Sequence, residues 1–161
     1  MLESPSATLG AELLSVVARL NRMATRMATL EAGLPIPYAQ ARLLAQIEDR
    51  APARISELAA ADHCSQPTMT TSVQRLEAAG LVVRQPDPAD ARAVLVSMAP
   101  AGATVLREVR ERRAAVVAPY LNALEPAERQ TLVEAVEVLR KVLADAGGMH
   151  TSSPASNPPQ E

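Results

Sequence analysis

The feature that most constrains this chain is a heptad pattern of aliphatic residues near its N-terminus. Apolar side chains recur at alternating steps of four and three, which aligns them along one stripe of an α-helix. They are Leu9, Leu13, Val16, Leu20, Met23, Met27 and Leu30. The pattern stops at Gly33, Pro35 and Pro37. Such a stripe either packs on its own chain or pairs with a second chain. We favour pairing, because a small domain has little surface to cover it.

Composition indicates an aliphatic, mainly helical core. The chain has 161 residues, of which 48% are hydrophobic, so one domain of ordinary size can form. Phenylalanine and tryptophan are absent, and Tyr38 and Tyr120 are the only aromatic residues. Leu, Val, Met and Ala must therefore supply the core, and residues of this kind are common in helices.

Shorter elements follow the N-terminal stripe. Apolar periodicity predicts helices over 38–49, 55–62 and 66–79, with Ser65 as N-cap of the third and Gly80 directly after its end. The period then changes to β-branched runs at 81–85 and 93–98, separated by a polar connection over 86–92, which predicts a hairpin with a long tip. Two short helices and a hairpin in this order are typical of a winged helix-turn-helix.

The last third is predicted to be helical over 100–120 and 126–145. The second of these helices carries an apolar stripe of Leu132, Val136, Leu139 and Leu143. The predicted fold is therefore mainly α with a small β-hairpin: a winged helix-turn-helix lobe on a helical dimerisation base. The predicted parts are an N-terminal dimerisation helix (8–34), the lobe (37–98), C-terminal dimerisation helices (99–146) and a disordered tail (147–161).

The helix over 66–79 has an outward face suited to a DNA groove. With Met69, Val73 and Leu76 turned inward, the other side presents hydroxyls, an amide and a guanidinium. It comprises Pro67, Thr71, Gln74, Arg75 and Ala78, flanked by Thr68 and Thr70. Gln pairs bidentately with adenine and Arg with guanine. An ordinary solvated face is the alternative, although such faces usually mix Lys with Glu.

Charge alone does not indicate nucleic-acid binding. The formal net charge is −2, and the predicted lobe holds six arginines against seven carboxylates. Any contact with DNA must therefore depend on where individual arginines lie.

Two runs in the lobe resemble the MarR family of transcription regulators. The first is Leu-Glu-Ala-Ala-Gly-Leu-Val-Val-Arg over 76–84, and the second is the wing signature Asp-Pro-Ala-Asp-Ala-Arg over 87–92. With the flanking helices the resemblance covers about 9–145. The chain departs from the family at Arg54, often a Ser or Thr N-cap, and at Ala99, often a Thr; both departures put helix capping in doubt.

The resemblance implies a repressor that binds double-stranded DNA as a homodimer, on a near-palindromic operator with half-sites about 10 bp apart. It also implies that Asp90 holds the Arg92 guanidinium while Arg92 enters the minor groove; a salt bridge that only closes the hairpin is the alternative. The expected DNA contacts are Ser65, Gln66, Pro67, Thr68, Thr70, Thr71, Gln74, Arg75, Arg84, Asp90 and Arg92.

The family commonly binds a small aromatic or lipophilic effector that lowers DNA affinity. Leu20, Met23, Met27, Tyr38 and Leu44 would line such a pocket here, although they also fit plain core packing. The rival interpretation is a winged-helix protein-interaction module without sequence-specific DNA binding, which the near-neutral lobe favours. A steep loss of DNA affinity with salt would separate the two.

Several other functions find no support in the sequence. Cys64 is the only cysteine, which excludes an internal disulfide, and it is more typical of a small buried residue than of an oxidant sensor. His63 and His150 are far apart, so no metal, cofactor or enzymatic site is expected. No run approaches the roughly 20 apolar residues of a membrane span and no secretory signal is visible, so the predicted location is cytoplasmic.

Overall fold

The computed structural model describes residues 4–149, which form two compact units, 4–117 and 118–149. The fold is mainly helical with one small antiparallel sheet, as predicted. In chain order the elements are α1 (Pro5–Met27), which continues into a π-helical turn (Ala28–Ala32), α2 (Tyr38–Arg50), β1 (Ala53–Arg54), α3 (Ile55–Ala61), α4 (Gln66–Ala78), β2 (Val82–Asp87), β3 (Asp90–Met98), α5 (Pro100–Asn122) and α6 (Pro126–Met149).

The core of the first unit lies in the lobe. Its fully buried members come from every helix of the lobe and from the sheet: Leu44, Ile47, Leu58, Met69, Val73, Leu76 and Val96. Burying a side chain of this size contributes about 1.5–3 kcal/mol. Leu44 has no exposed surface and packs in the lobe core, which is the alternative that the sequence left open for the five expected effector-pocket residues. Its place in an effector pocket stays a prediction.

Local signals fix both ends of α4 as predicted. The Ser65 hydroxyl accepts the Thr68 amide at 3.3 Å, so it caps the helix. At the other end Gly80 takes φ 70°, and its amide donates to the Glu77 carbonyl at 2.8 Å. The Leu81 amide donates to the Leu76 carbonyl at 2.9 Å, which completes a Schellman motif. The chain therefore turns directly from α4 into the sheet.

The sheet has three strands in the order β1-β3-β2, all antiparallel. The hairpin of β2 and β3 was predicted, but its tip is much shorter than the seven-residue connection over 86–92. Pro86 and Asp87 continue β2, and β3 already begins at Asp90, with an irregularity between Pro86 and Asp87. The Asp87 carboxylate accepts the Ala89 amide at 2.8 Å, which closes this tight turn. The two-residue strand β1 was not predicted.

The start of α5 lies very close to the end of α4. A Cβ added at Gly102 would lie 2.1 Å from the Leu81 carbonyl oxygen and 2.7 Å from the Met98 sulfur. The same carbonyl accepts the Ala99 amide at 3.1 Å. Glycine at 102 is therefore what lets α5 begin directly against this turn.

Helices α1 and α6 each keep an apolar face exposed. No member of the α1 heptad stripe is buried, and Leu9 is 66% exposed. In the second unit, the α6 stripe is equally open, with Leu143 71% exposed. The α6 helix continues to Met149, three residues into the predicted tail, and residues 150–161 of that tail lie outside the described part. Between residues 4 and 149, no helix combines the length and apolarity needed to cross a membrane.

Candidate nucleic-acid interface

The outward face of α4 has the composition that the sequence predicted. Met69, Val73 and Leu76 are buried, with at most 2% of their surface exposed, so the opposite side faces solvent. The predicted contact residues on this helix are exposed, except for Thr70, which is half-buried. The exposed ones are Gln66, Pro67, Thr68, Thr71, Gln74 and Arg75.

The hydroxyls of this helix are partly engaged within it. Thr70 donates to the Gln66 carbonyl at 2.8 Å, and Thr71 donates to the Pro67 carbonyl at 3.0 Å. Their protons are used, but their oxygens can still accept and their methyl groups remain available for apolar contact. By contrast, the side-chain amides of Gln66 and Gln74 make no hydrogen bond within residues 4–149. The amides are therefore the free donor–acceptor groups on this face.

Ion pairs neutralise much of the lobe's acidic charge. Arg42 pairs with Asp62 at 2.7 Å, and Arg54 pairs with Asp87 at 2.6 Å. A further carboxylate of the lobe, Glu48, pairs with an arginine of α5. The first two pairs each match one lobe arginine with one lobe carboxylate and leave the net charge of the lobe unchanged, whereas the Glu48 pair brings in a positive charge from outside the lobe.

Arg84 is also engaged. Its Nη1 lies 3.1 Å from Glu77, and its Nε is buried without a hydrogen-bond partner in the described structure. Glu77 is the only acid on α4 itself, and this pair neutralises its charge; Asp62, which borders a pocket beside Thr68 and Arg75, is paired with Arg42. From the sequence we expected Arg84 to contact DNA, but its ion pair with Glu77 was not predicted. The DNA contact of Arg84 stays a prediction.

Two exposed arginines of the predicted contact set are left without a carboxylate partner among the described residues. Arg75 lies on α4 and Arg92 lies on β3 at the wing. Because no ion pair holds either guanidinium, both remain available for a phosphate or a base edge.

The predicted Asp90–Arg92 side-chain pair is absent from the described structure. The Asp90 carboxylate instead accepts the main-chain amide of Arg92 at 3.0 Å. A carboxylate two residues before an amide readily closes this local Asx-type contact, and here it does so in place of the longer reach to the guanidinium. The prediction that Asp90 braces the Arg92 side chain was therefore wrong.

A polar groove joins α4 to the wing. It has a volume of about 240 Å³, and it brings together side chains from α3, α4 and β3. Among its lining residues are Arg54, Ser56, Gln66, Thr70 and Arg92. Three of these were predicted DNA contacts. Arg54 and Ser56 were not, because only the fold carries the start of α3 to the wing.

The five predicted effector-pocket residues do not share one cavity. Leu20 and Met23 border an open depression on α1, and Met27 packs on Ala24 and Ala28. Tyr38 borders a separate cavity of about 120 Å³ between α2 and α5. Periodicity placed these residues on helices, but it did not tell which helix faces pack together.

Tyr38 belongs to a small polar cluster. The Arg113 guanidinium lies 5.1 Å from the centre of its ring, and the Asn21 side-chain amide donates to its hydroxyl at 3.2 Å. Arg113 also bonds to Asn21. The buried Nε of Arg113 has no hydrogen-bond partner in the described structure. Sequence reasoning missed both Asn21 and Arg113, since no local pattern distinguishes them.

Cys64 and the titratable residues suggest no further chemistry. Cys64 is half-buried and packs against the lobe core, in keeping with a small apolar role. Within residues 4–149 no group of three or more His, Cys, Asp and Glu is arranged to hold a metal ion.

The chain is similar to known transcription regulators in sequence. Residues 36–94 match the model of the MarR family. An uncharacterized HTH-type transcriptional regulator of Mycobacterium bovis is 30% identical over 139 residues, which cover 86% of this chain and 94% of the relative. A second such regulator, from Mycobacterium leprae, is 27% identical over 91% of this chain and 99% of its own length.

Solved structures agree with the sequence matches. A transcriptional regulator from Thermotoga maritima superposes with a TM-score of 0.66 at 25% identity, covering 86% of this chain and 98% of the other. The apo form of wild-type MarR from E. coli gives a TM-score of 0.62 at 26% identity, with 81% and 96% covered. The similarity thus extends well beyond the lobe.

Proposed function

The chain belongs to the MarR family of DNA-binding transcription regulators, which are not enzymes, and from this premise we propose that it is a homodimeric repressor of a near-palindromic operator. Two features together carry the proposal. The acids beside the α4 face, Glu77 and Asp62, are both held in ion pairs, and two arginines of the contact set, Arg75 and Arg92, have no ion pair among the described residues. Such a face can approach phosphates and base edges without an opposing free carboxylate.

In the proposed complex α4 lies in the major groove. The free amide of Gln74 is suited to adenine, and the free guanidinium of Arg75 is suited to guanine. Thr71 has donated its proton within the helix, so it offers its methyl group to thymine and its oxygen as an acceptor. Arg92 would enter the adjacent minor groove, whose negative potential favours a guanidinium.

The proposed dimer accounts for the open apolar faces of α1 and α6. An exposed stripe of leucine and valine is costly in water, and a second copy of the chain would cover it. A two-fold dimer presents two copies of α4, so the operator would hold two half-sites about 10 bp apart in opposite orientation. Since the bacterial chromosome lies in the cytoplasm, the proposal also places the protein there.

We extend the proposal to release by a small aromatic or lipophilic effector. The cavity beside Tyr38 supports a site of this kind, because an aromatic ring and the Arg113 guanidinium lie together there. Equilibrium dialysis of the purified protein against aromatic carboxylates tests this part. A Tyr38→Ala variant that binds such a compound as well as the wild type would exclude this cavity.

The experiment for DNA recognition begins by enriching genomic fragments on the purified protein and sequencing them. On the recovered site, Arg75→Ala should cost about 1–3 kcal/mol and relax base preference at one position. Arg92→Ala should weaken binding without changing the preference read by α4. Arg107→Ala, an exposed arginine on α5, is the matched control and should change little. Equal losses for Arg75→Ala on specific and random DNA would assign Arg75 to phosphate alone.

A further inference from the structure

The wing is tied to the start of α3 by one ion pair that no pattern in the sequence indicates. Arg54 and Asp87 are 33 residues apart, and both Nε and Nη2 of Arg54 approach Asp87 Oδ2, at 2.8 and 2.6 Å. The second carboxylate oxygen, Oδ1, accepts the Ala89 amide at 2.8 Å, at the tip of the hairpin. One carboxylate therefore holds the wing turn and an anchor outside the hairpin together.

This contact is built into the structure from both sides. Asp87 is 6% exposed and is the only buried charged side chain among the described residues. On the other side, the Arg54 main chain pairs with Leu95 in the sheet, and its amide donates to Glu57 at 2.8 Å. Arg54 thus precedes α3, pairs with β3 in the sheet and forms an ion pair with Asp87 of the wing. The family often has a helix-capping Ser or Thr at this position.

The hairpin needs such an anchor. Two-stranded hairpins are marginally stable by themselves, and the only other strand that pairs with this one is β1, which has two residues. Arg92, the proposed minor-groove probe, follows the wing turn and has no side-chain partner within residues 4–149. The direction in which Arg92 points therefore depends on how firmly the wing is held.

We propose that the Arg54–Asp87 pair is the positioning device of the wing, which sets the distance between Arg92 and α4 before DNA arrives. The inference rests on the proposed DNA binding. Ordering the wing in advance removes part of the entropy that binding would otherwise cost. Both residues act through the wing, so neither needs to touch a base.

The sign of one substitution distinguishes positioning from simple electrostatics. Asp87→Asn removes a negative charge close to the DNA phosphates, so Coulomb attraction alone predicts tighter binding. Positioning predicts weaker binding, because Arg54 loses its charged partner and the wing loosens. We expect operator binding about tenfold weaker at fixed salt.

Asp49→Asn is the matched control. It makes the same charge change in the same lobe, but Asp49 lies exposed on α2 and its side chain makes no hydrogen bond or ion pair among the described residues. It should bind the operator as tightly as the wild type. Hydrogen exchange at the Ala89 amide should accelerate in Asp87→Asn and stay unchanged in Asp49→Asn.

Unchanged or tighter operator binding by folded Asp87→Asn overturns the inference, as does an equal loss in both variants. If Asp87→Asn does not fold, Asp87→Glu takes its place, since it keeps the charge and displaces the carboxylate by one methylene. Positioning then predicts weaker binding with the same salt slope, and wild-type affinity overturns it. A wild-type protein that enriches no DNA would instead refute the proposed function, which separates the two failures.

Discussion

Large aliphatic side chains are buried in the winged lobe but exposed on helix α1. In the lobe, Leu44 and Ile47 have no exposed surface, whereas Leu9 and Leu20 on α1 are 66% and 48% exposed. Both segments show strong helical periodicity in the sequence. The apolar residues of the lobe are covered by the same chain, whereas those of the α1 stripe are not. Periodicity therefore shows that a helix face is apolar, but not whether the same chain or a second one covers it.

The largest expected effect comes from breaking the apolar stripe of α1. The double variant Val16→Asp with Leu20→Asp places two charges on the stripe and should convert a dimer into monomers whose lobes remain folded. A monomer engages one half-site only, so operator affinity should fall about 10²–10⁴-fold. Sedimentation at low micromolar concentration and circular dichroism measure assembly and folding separately.

A control with the same added charge lies on the other side of α1. Ala11 and Ala18 are exposed and face away from the stripe, so Ala11→Asp with Ala18→Asp should leave assembly unchanged. If the stripe variant and the control sediment alike, the stripe is not the dimer contact. A wild-type protein that sediments as a folded monomer would also remove the contrast between α1 and the lobe.

Two glycines test the difference in packing between the lobe and α1 through the free energy of unfolding. At Gly102 an added methyl group would meet the Leu81 carbonyl, while at Gly10 of α1 nothing lies within 4 Å. Gly102→Ala should therefore destabilise the protein by about 1–3 kcal/mol through overpacking. Gly10→Ala should stabilise it by up to about 1 kcal/mol through helix propensity.

Urea denaturation of both glycine variants checks these opposite signs. A stable Gly102→Ala protein would mean that α5 can move away from the α4–β2 turn at little cost. A destabilised Gly10→Ala protein would mean that something covers α1 closely at this position. Either result would weaken the distinction between a tightly packed lobe and an open helix.

Predictions from the sequence were confirmed where the structure depends on residues close together in the chain. The inward face of α4, its Ser65 cap and its glycine end all depend on residues within one or two turns of each other, and all three were confirmed. The family motifs over 76–84 and 87–92 then led to the winged helix-turn-helix. The DNA roles assigned to individual residues stay predictions.

The failures have a common physical cause in long-range contacts. The family resemblance implied a pair between Asp90 and Arg92, two residues apart, whereas the ion pair with a buried carboxylate joins Arg54 to Asp87 across 33 residues. Arg54 drew attention only because it is not a typical helix cap. For Leu44 the sequence left both an effector pocket and the core open, and only the packed lobe shows that its side chain lies in the core.

The lobe and α1 also differ in the burial of charged side chains. The effect on stability that we expect from this difference is the smallest of those predicted. Every charged side chain of α1 is exposed, whereas the lobe buries Asp87. The Ala89 amide holds the pKa of Asp87 below its ordinary value, assisted by Arg54 and opposed by burial. Because the carboxylate is favoured in the folded state, Asp87 contributes stability above its unfolded pKa of about 3.9, which is lost as the pH falls through the lower, folded value.

Asp87→Asn removes this titration and therefore measures it. The wild type should be more stable than the variant by a constant difference from pH 7 to about pH 5, and the difference should shrink below about pH 4 as Asp87 becomes protonated. Urea denaturation of both proteins at each pH gives the difference. A gap that stays constant well below pH 4, or widens there, would show that the folded carboxylate is not specifically stabilised. The lobe and α1 would then differ in the packing of apolar residues and not in their use of charge.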